Sequence, residues 1–181
     1  MKNPSKEEIQ KLFESGELIR KHQKMIKIKI TNNDIIDGSF VVPEGITEIG
    51  IGAFGDCTSL SSIIIPKSVA KIGIEAFYGC ASLTNITIPD SVTEIGIGVF
   101  FGCSSLKSII IPESITEIGD MAFSGCTSLT SIFIPDSVTE IGNWAFYGCG
   151  SLKKVSLPKK VKLSYSVFDR CHPDIEIEYR D

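Results

Sequence analysis

The chain of 181 residues is poor in the groups that most protein chemistry needs. It has two histidines, His22 and His172, both in the terminal regions. A side-chain nucleophile needs a base within hydrogen-bond reach, so this inventory speaks against an enzyme, and no catalytic residue is expected. The six cysteines contain no Cys-x-x-Cys pair, which disfavours a zinc site. No phosphate-binding glycine loop occurs either, because glycines such as those of Ile95-Gly96-Ile97-Gly98 return at a fixed beat and mark turns. No cofactor and no metal are therefore expected.

Long apolar runs are also missing. Nothing approaches the roughly 18 apolar residues that span a bilayer. The net charge of −4 supplies no basic field of the kind that nucleic acid requires. The first 25 residues carry lysine and glutamate throughout and lack the apolar core of a signal peptide. As written the chain reads as cytoplasmic, and as a cell-surface or secreted protein if a leader has been removed.

What the chain has is a repeat. Cysteines recur at 57, 80, 103, 126 and 149, each 23 residues apart, with a last copy at 171 after a gap of 22. Prolines keep the same beat at 43, 66, 89, 112, 135 and 158, and phenylalanines at 54, 77, 100, 123, 146 and 168. Looked at alone, Ala76-Phe77-Tyr78-Gly79-Cys80 suggests a reactive thiol. In the repeat, Ala76, Phe77 and Cys80 are slot residues, and Tyr78 and Gly79 are the variable pair between them.

One unit runs from Ile88 to Ile110. Leu106, Ile109 and Ile111 have the spacing of a short strand with inward residues. Pro112 then ends the ladder because it has no amide hydrogen to donate. The Ile118-Gly119 pair follows, where a bend would crowd a side chain. Each unit thus predicts one strand, a turn, a return segment and a second turn. A single unit cannot bury its own apolar face, whereas stacked units share one core. Parallel strands lie roughly 4.8 Å apart, so about six coils make a column on the order of 30 Å long.

The stretch Leu129 to Cys149, with its pattern I-P-x-S-V-x-x-I-G-x-x-A-F-x-x-C-x-x-L-x-x-I, resembles the BspA-like leucine-rich repeat family. The resemblance covers residues 38 to 179. It departs at both ends, where Phe40 to Pro43 keeps half a unit and Leu163-Ser164 stands in for Ile-Gly. The expected fold is a leucine-rich-repeat solenoid, a right-handed coil of about six 23-residue repeats. A parallel sheet would form one face and short helical or irregular turns the other. The resemblance implies protein binding, with surface adhesion or host-matrix binding in some members.

The expected organisation is an N-terminal cap over residues 1–37, the repeats over 38–171 and a C-terminal capping strand over 172–181. In the first cap Ser5 and Glu8 read as a capping box, with Ile9, Leu12 and Phe13 as a helical stripe. Ile26, Ile28 and Ile30 then alternate with lysines as a half-buried strand, and residues 31–34 form a turn. At the other end Ile175, Ile177 and Tyr179 alternate with Glu176 and Glu178. Charges on terminal strands defend against edge-to-edge pairing. They also allow a lysine-edged end, Lys27 and Lys29, to meet the glutamate-edged end of another copy head to tail.

The candidate sites follow from the repeat. The cysteines read first as buried structural thiols. Stacked neighbours also fall within disulfide reach, so pairing stays open, with metal or catalysis behind it. Glu94, Glu117 and Glu140, continued by Glu48 and Lys71, should line up as a solvated acidic ladder. Calcium is the alternative ligand for such a ladder, but it wants converging oxygens. Lys153, Lys154, Lys159, Lys160 and Lys162 read as a basic cluster for an acidic partner or as a solvated face. Trp144 and Tyr147 fall on the return side as single exposed aromatics.

The most informative surface is the outward strand face. Its central slot is Val41, Ile64, Thr87, Ile110, Phe133 and Ser156 down the column, and the slot two residues earlier holds Ser62, Asn85, Ser108, Ser131 and Lys154. Contiguous exposed apolar area tends to mark an interaction site, although β-branched and aromatic residues also suit any pleated surface. The reading is a monomeric protein-binding module whose partner is another protein. A structural or self-assembling repeat without a dedicated ligand is the alternative.

Overall fold

The computed structural model describes residues 29–181, and the expected capping box, helical stripe and Lys27 lie outside them. The chain winds into a solenoid of parallel strands. Its front column holds β1 (Ser39–Val41), β3 (Ser62–Ile64), β7 (Ser131–Phe133), β9 (Lys154–Pro158) and β11 (Glu176–Arg180). Between β3 and β7 the same column continues as a parallel bridge from Thr87 to Ile110. Units pair slot to slot, as Ser131 with Lys154 and Phe133 with Ser156, so stacking follows the sequence period.

A second strand column, which the sequence pattern did not reveal, occupies the return segment. It consists of two-residue strands: β2 (Glu48–Ile49), β4 (Lys71–Ile72), β5 (Glu94–Ile95), β6 (Glu117–Ile118), β8 (Glu140–Ile141) and β10 (Lys162–Leu163). In most of them glutamate or lysine points out and isoleucine is buried. Two residues are too short to leave a periodic signature. The helical content of the described residues is a single 3-10 turn, Asn32–Asp34, so the turns are irregular rather than helical.

The third side of each coil is a corner without strand geometry, yet it carries its own backbone ladder. Phe77 N–H donates to Val99 O at 2.9 Å, Phe100 N–H to Ala122 O at 2.8 Å, and Phe123 N–H to Ala145 O at 2.7 Å. Inside this corner Phe54, Phe77, Phe100, Phe123, Phe146 and Phe168 stack with centroids 5.1 to 5.6 Å apart. Offset aromatic stacking adds about 0.5–1.5 kcal/mol per pair beyond the area each ring buries.

The corner requires two left-handed residues per coil. One slot holds Glu75, Gly98, Met121 and Trp144, with φ between 54° and 59°. The other holds Asp56, Gly79, Gly102, Gly125, Gly148 and Arg170. Gly79 is thus a slot residue fixed by backbone sign rather than part of a variable pair. The Ile-Gly glycines have a different cause, close approach of adjacent coils. A Cβ on Gly119 would lie 2.7 Å from the carbonyl carbon of Gly96.

The front column is interrupted twice, after β3 and again between Ile110 and β7, and the first of these is a seam shared with the back column. β2–β4 and β1–β3 form separate two-stranded sheets from the strands that follow, so both columns break between the second and third coils. At that step the Phe77–Phe100 spacing is the widest at 5.6 Å, and a Cβ on Gly96 would meet nothing closer than 3.8 Å. The corner ladder crosses the seam intact, as does the Thr84 N–H bond to Ser61 O at 3.2 Å. At the end of the chain β11 continues the ladder on β9 in register, from Glu176 opposite Lys154 to Arg180 opposite Pro158.

Candidate functional site: the outward strand face

The strand pleat decides which side chains reach solvent. In β7, Ser131 and Phe133 point out while Ile132 is buried, the alternation of a strand with one covered face. Of the ten residues singled out in the sequence, Val41, Ile64, Asn85, Thr87, Ser108, Ile110, Ser131, Phe133 and Lys154 are exposed and Ser156 is half-buried. Val41, Ile64, Ile110 and Phe133 keep 61, 63, 77 and 54% of their surface in water. The register sets them opposite one another in pairs along the column, Val41 with Ile64, Thr87 with Ile110, and Phe133 with Ser156. The small polar row beside them is partly tied down, as in the 2.9 Å contact between the Ser39 and Ser62 hydroxyls.

Toward its C-terminal end the face dips into a depression of about 340 Å³, lined by Ser131, Phe133, Lys154, Ser156, Glu176 and Glu178. Its shape follows from the row itself, where small Ser156 sits between the Phe133 ring and Glu178. Arg180 organises this end from two coils away. Its guanidinium lies 3.8 Å from the Phe133 ring centroid and donates to Asp136 Oδ1 at 2.8 Å and to the Ile134 carbonyl. Sequence reasoning missed Arg180, whose only signal is a separation of two coil lengths from Ile134 and Asp136.

A second exposed apolar column was also missed. Ile51, Ile74 and Ile97 are 75, 42 and 45% exposed on the corner. Their 23-residue beat is visible in the sequence. The column turns polar further along, where Asn143 N–H donates to Asp120 Oδ1 at 2.6 Å. Nearby on the corner Trp144 meets Tyr165 edge to face at 6.0 Å, and Tyr147 lies under the Arg170 guanidinium at 5.3 Å. Both aromatics have partners.

The other candidate groups are placed as follows. Glu94, Glu117 and Glu140 stand in register and are followed by Lys162, while Lys71 reaches Glu48 at 3.7 Å. The five C-terminal lysines separate: Lys154 opens β9 on the front, Lys162 lies in the back column, and Lys159 contacts Asp181. Lys154 and Lys162 therefore stand on different columns.

All six cysteines are free thiols. Each fills the same role: its S–H points at the corner carbonyl of the preceding coil, as Cys103 Sγ does to Phe77 O at 3.2 Å. Burial raises the Cys57 thiol from 9.0 to about 11 and Cys103 to about 12, and it raises Cys80 and Cys126 as well. A thiolate is the nucleophilic form, so burial makes these thiols inert. At the last step the interaction of the neighbouring Cys149 and Cys171 thiols raises Cys149 and lowers half-buried Cys171.

A chain of short parallel strands stacked in register, with an exposed sheet on one side, is a repeat solenoid of the leucine-rich class. Residues 31–122 match the family model described as BspA type leucine rich repeat region (6 copies), and the chain belongs to that family. Proteins of this class are generally non-enzymatic. The Leucine Rich Repeat protein of T. pallidum is 34% identical with a TM-score of 0.78, over 88% of this chain and 75% of that one. A leucine-rich repeat protein from Bacteroides ovatus is 30% identical with a TM-score of 0.62, over 79% of this chain and 42% of its own. A leucine rich cell surface protein from Faecalibacterium prausnitzii is 32% identical with a TM-score of 0.65, over 80% of this chain and 48% of its own. The chain thus spans three quarters of the first and less than half of the other two. No curated protein sequence matches it. Among the described residues no helix is long and apolar enough to cross a membrane.

Proposed function

We propose that the chain is a non-enzymatic, adhesin-like module that binds a protein partner through its outward strand face. The row Val41, Ile64, Ile110 and Phe133 carries this reading. Four large apolar side chains on one side of a ladder offer a partner far more burial than scattered ones do. Covering each fully contributes about 1.5–3 kcal/mol, and the serines beside them supply hydrogen bonds without bulk. The Faecalibacterium prausnitzii relative is a cell surface protein, which supports the adhesin-like setting. Six unpaired thiols also suit a reducing interior, so partners are sought in both settings.

The test compares the chain with its Ile110→Ser, Phe133→Ser form as immobilised bait, against proteins of the source cell's cytosol and of its surroundings. Proteins retained by the first and lost by the second are expected. Equal retention by two equally folded baits refutes the reading.

A further inference from the structure

The last strand, β11, presents an open edge of specific chemistry. Among the described residues it pairs with β9 alone. Glu176 N–H donates to Lys153 O at 2.8 Å, and Arg180 O accepts from Lys159 N–H at 2.9 Å. Backbone groups alternate sides along a strand. The N–H and C=O groups of Ile177 and Tyr179 therefore face away from β9, as a donor and acceptor row ready for another strand. The side chains at this edge alternate too. Ile177 and Tyr179 point to the core side yet remain 37 and 54% exposed, because no rung covers them. Glu176 and Glu178 point outward, and among the described residues neither has a side-chain partner. The one cation within the strand, Arg180, is turned back onto Phe133 and Asp136 and leaves the edge acidic.

We propose that the β11 edge is a strand-addition site for an extended protein segment in which lysine or arginine alternates with apolar residues. The partner's backbone bonds to Ile177 and Tyr179, its apolar residues cover those two side chains, and its cations face Glu176 and Glu178. Main-chain bonding supplies affinity and the alternating side chains supply specificity, as in other strand additions. Glutamates on a bare edge discourage pairing between two like copies, and the same charges select a basic segment. The site is the free edge of β11; its outward glutamates border the depression beside Phe133, and the rest of the row, Val41 to Ile110, lies on other coils.

The test uses the whole chain and a seven-residue peptide alternating lysine and valine. The peptide is N-methylated on alternate residues so that it has one pairing edge and cannot stack on itself. Amide exchange at Ile177 and Tyr179 should be fast in the free chain and slow about tenfold at a peptide concentration ten times Kd, with the effect weakening in high salt. The matching glutamate–valine peptide should protect neither amide, and Glu176→Lys with Glu178→Lys should reverse that preference. Glu176→Gln with Glu178→Gln provides a milder variant that should lose the preference without reversal. Absence of protection at the two amides, equal binding of both peptides, or protection in the free chain that grows with its own concentration would each overturn the proposal. The last of these would assign the edge to a second copy. Ile64→Ser with Ile110→Ser should leave peptide binding unchanged, which separates this site from the strand-face reading.

Discussion

The corner and the front face of the same coils behave as opposites. Inside the corner the residues scarcely change from unit to unit: phenylalanine sits on phenylalanine, and each thiol points at the carbonyl of the coil before it. On the front the central slot runs through valine, isoleucine, threonine, isoleucine, phenylalanine and serine. Each corner side chain packs against its own copies above and below, so a change in one unit must suit two neighbours. An outward front side chain meets mainly water and is free to differ. Repetition therefore marks architecture in this molecule, and variation at a fixed exposed slot marks the surface available for recognition.

The largest break in that contrast should come from the spine. Phe100→Ala removes a fully buried ring from between two others and should cost about 3–5 kcal/mol in denaturant unfolding. The front-face change Ile110→Ser should move stability by no more than about 0.5 kcal/mol.

A glycine pair sharpens the same contrast within the core. Gly119→Ala places a methyl against backbone at 2.7 Å and should destabilise by about 1–3 kcal/mol. Gly96→Ala meets its nearest atom at 3.8 Å across the seam and should be neutral, or stabilising by about 0.4–1 kcal/mol through a less flexible unfolded chain. Equal costs would mean that the seam is no looser than the other interfaces.

The thiols give a pH test. Cys57 and Cys103 are raised above 9.0 to about 11 and about 12, so the folded chain holds protons that the unfolded chain releases. Their contribution is complete below pH 9 and declines as pH rises through the folded values. Urea midpoints should therefore fall between pH 9 and 11, and Cys103→Ala should flatten that slope while costing about 1–2 kcal/mol at neutral pH. A slope unchanged in Cys103→Ala would place the alkaline loss elsewhere.

A small loss of stability is expected for Phe133→Ser. It loses the ring under Arg180, a contact of about 0.5–1 kcal/mol at an exposed site. Ile110→Ser lacks such a partner and is the cleaner probe of binding. A fall in Tm for Phe133→Ser that disappears in an Arg180→Gln background would assign the loss to this pair.

Much of the architecture was legible because a repeat writes each contact several times. Phenylalanine, cysteine and proline at one period located the core, the number of coils and the outward slots of the front face. The back column was not legible, since a two-residue strand such as Glu117–Ile118 is shorter than any hydrophobic period. Nor was the role of Gly79, whose need is a backbone sign that a sequence pattern does not carry. Arg180 escaped because its partners lie two coils away, and the lysine run divides between columns because adjacency along a wound chain is not adjacency in space. Lys154 and Lys162 are near in sequence and belong to different columns.

Oxidative footprinting of the chain bound to a captured protein tests the central claim most directly, because the molecule carries two exposed isoleucine columns that serve as each other's control. The account predicts that Ile64, Ile110 and Phe133 become protected on binding while Ile51, Ile74 and Ile97 react as in the free chain. Protection of the corner column with the front face still reactive would contradict it.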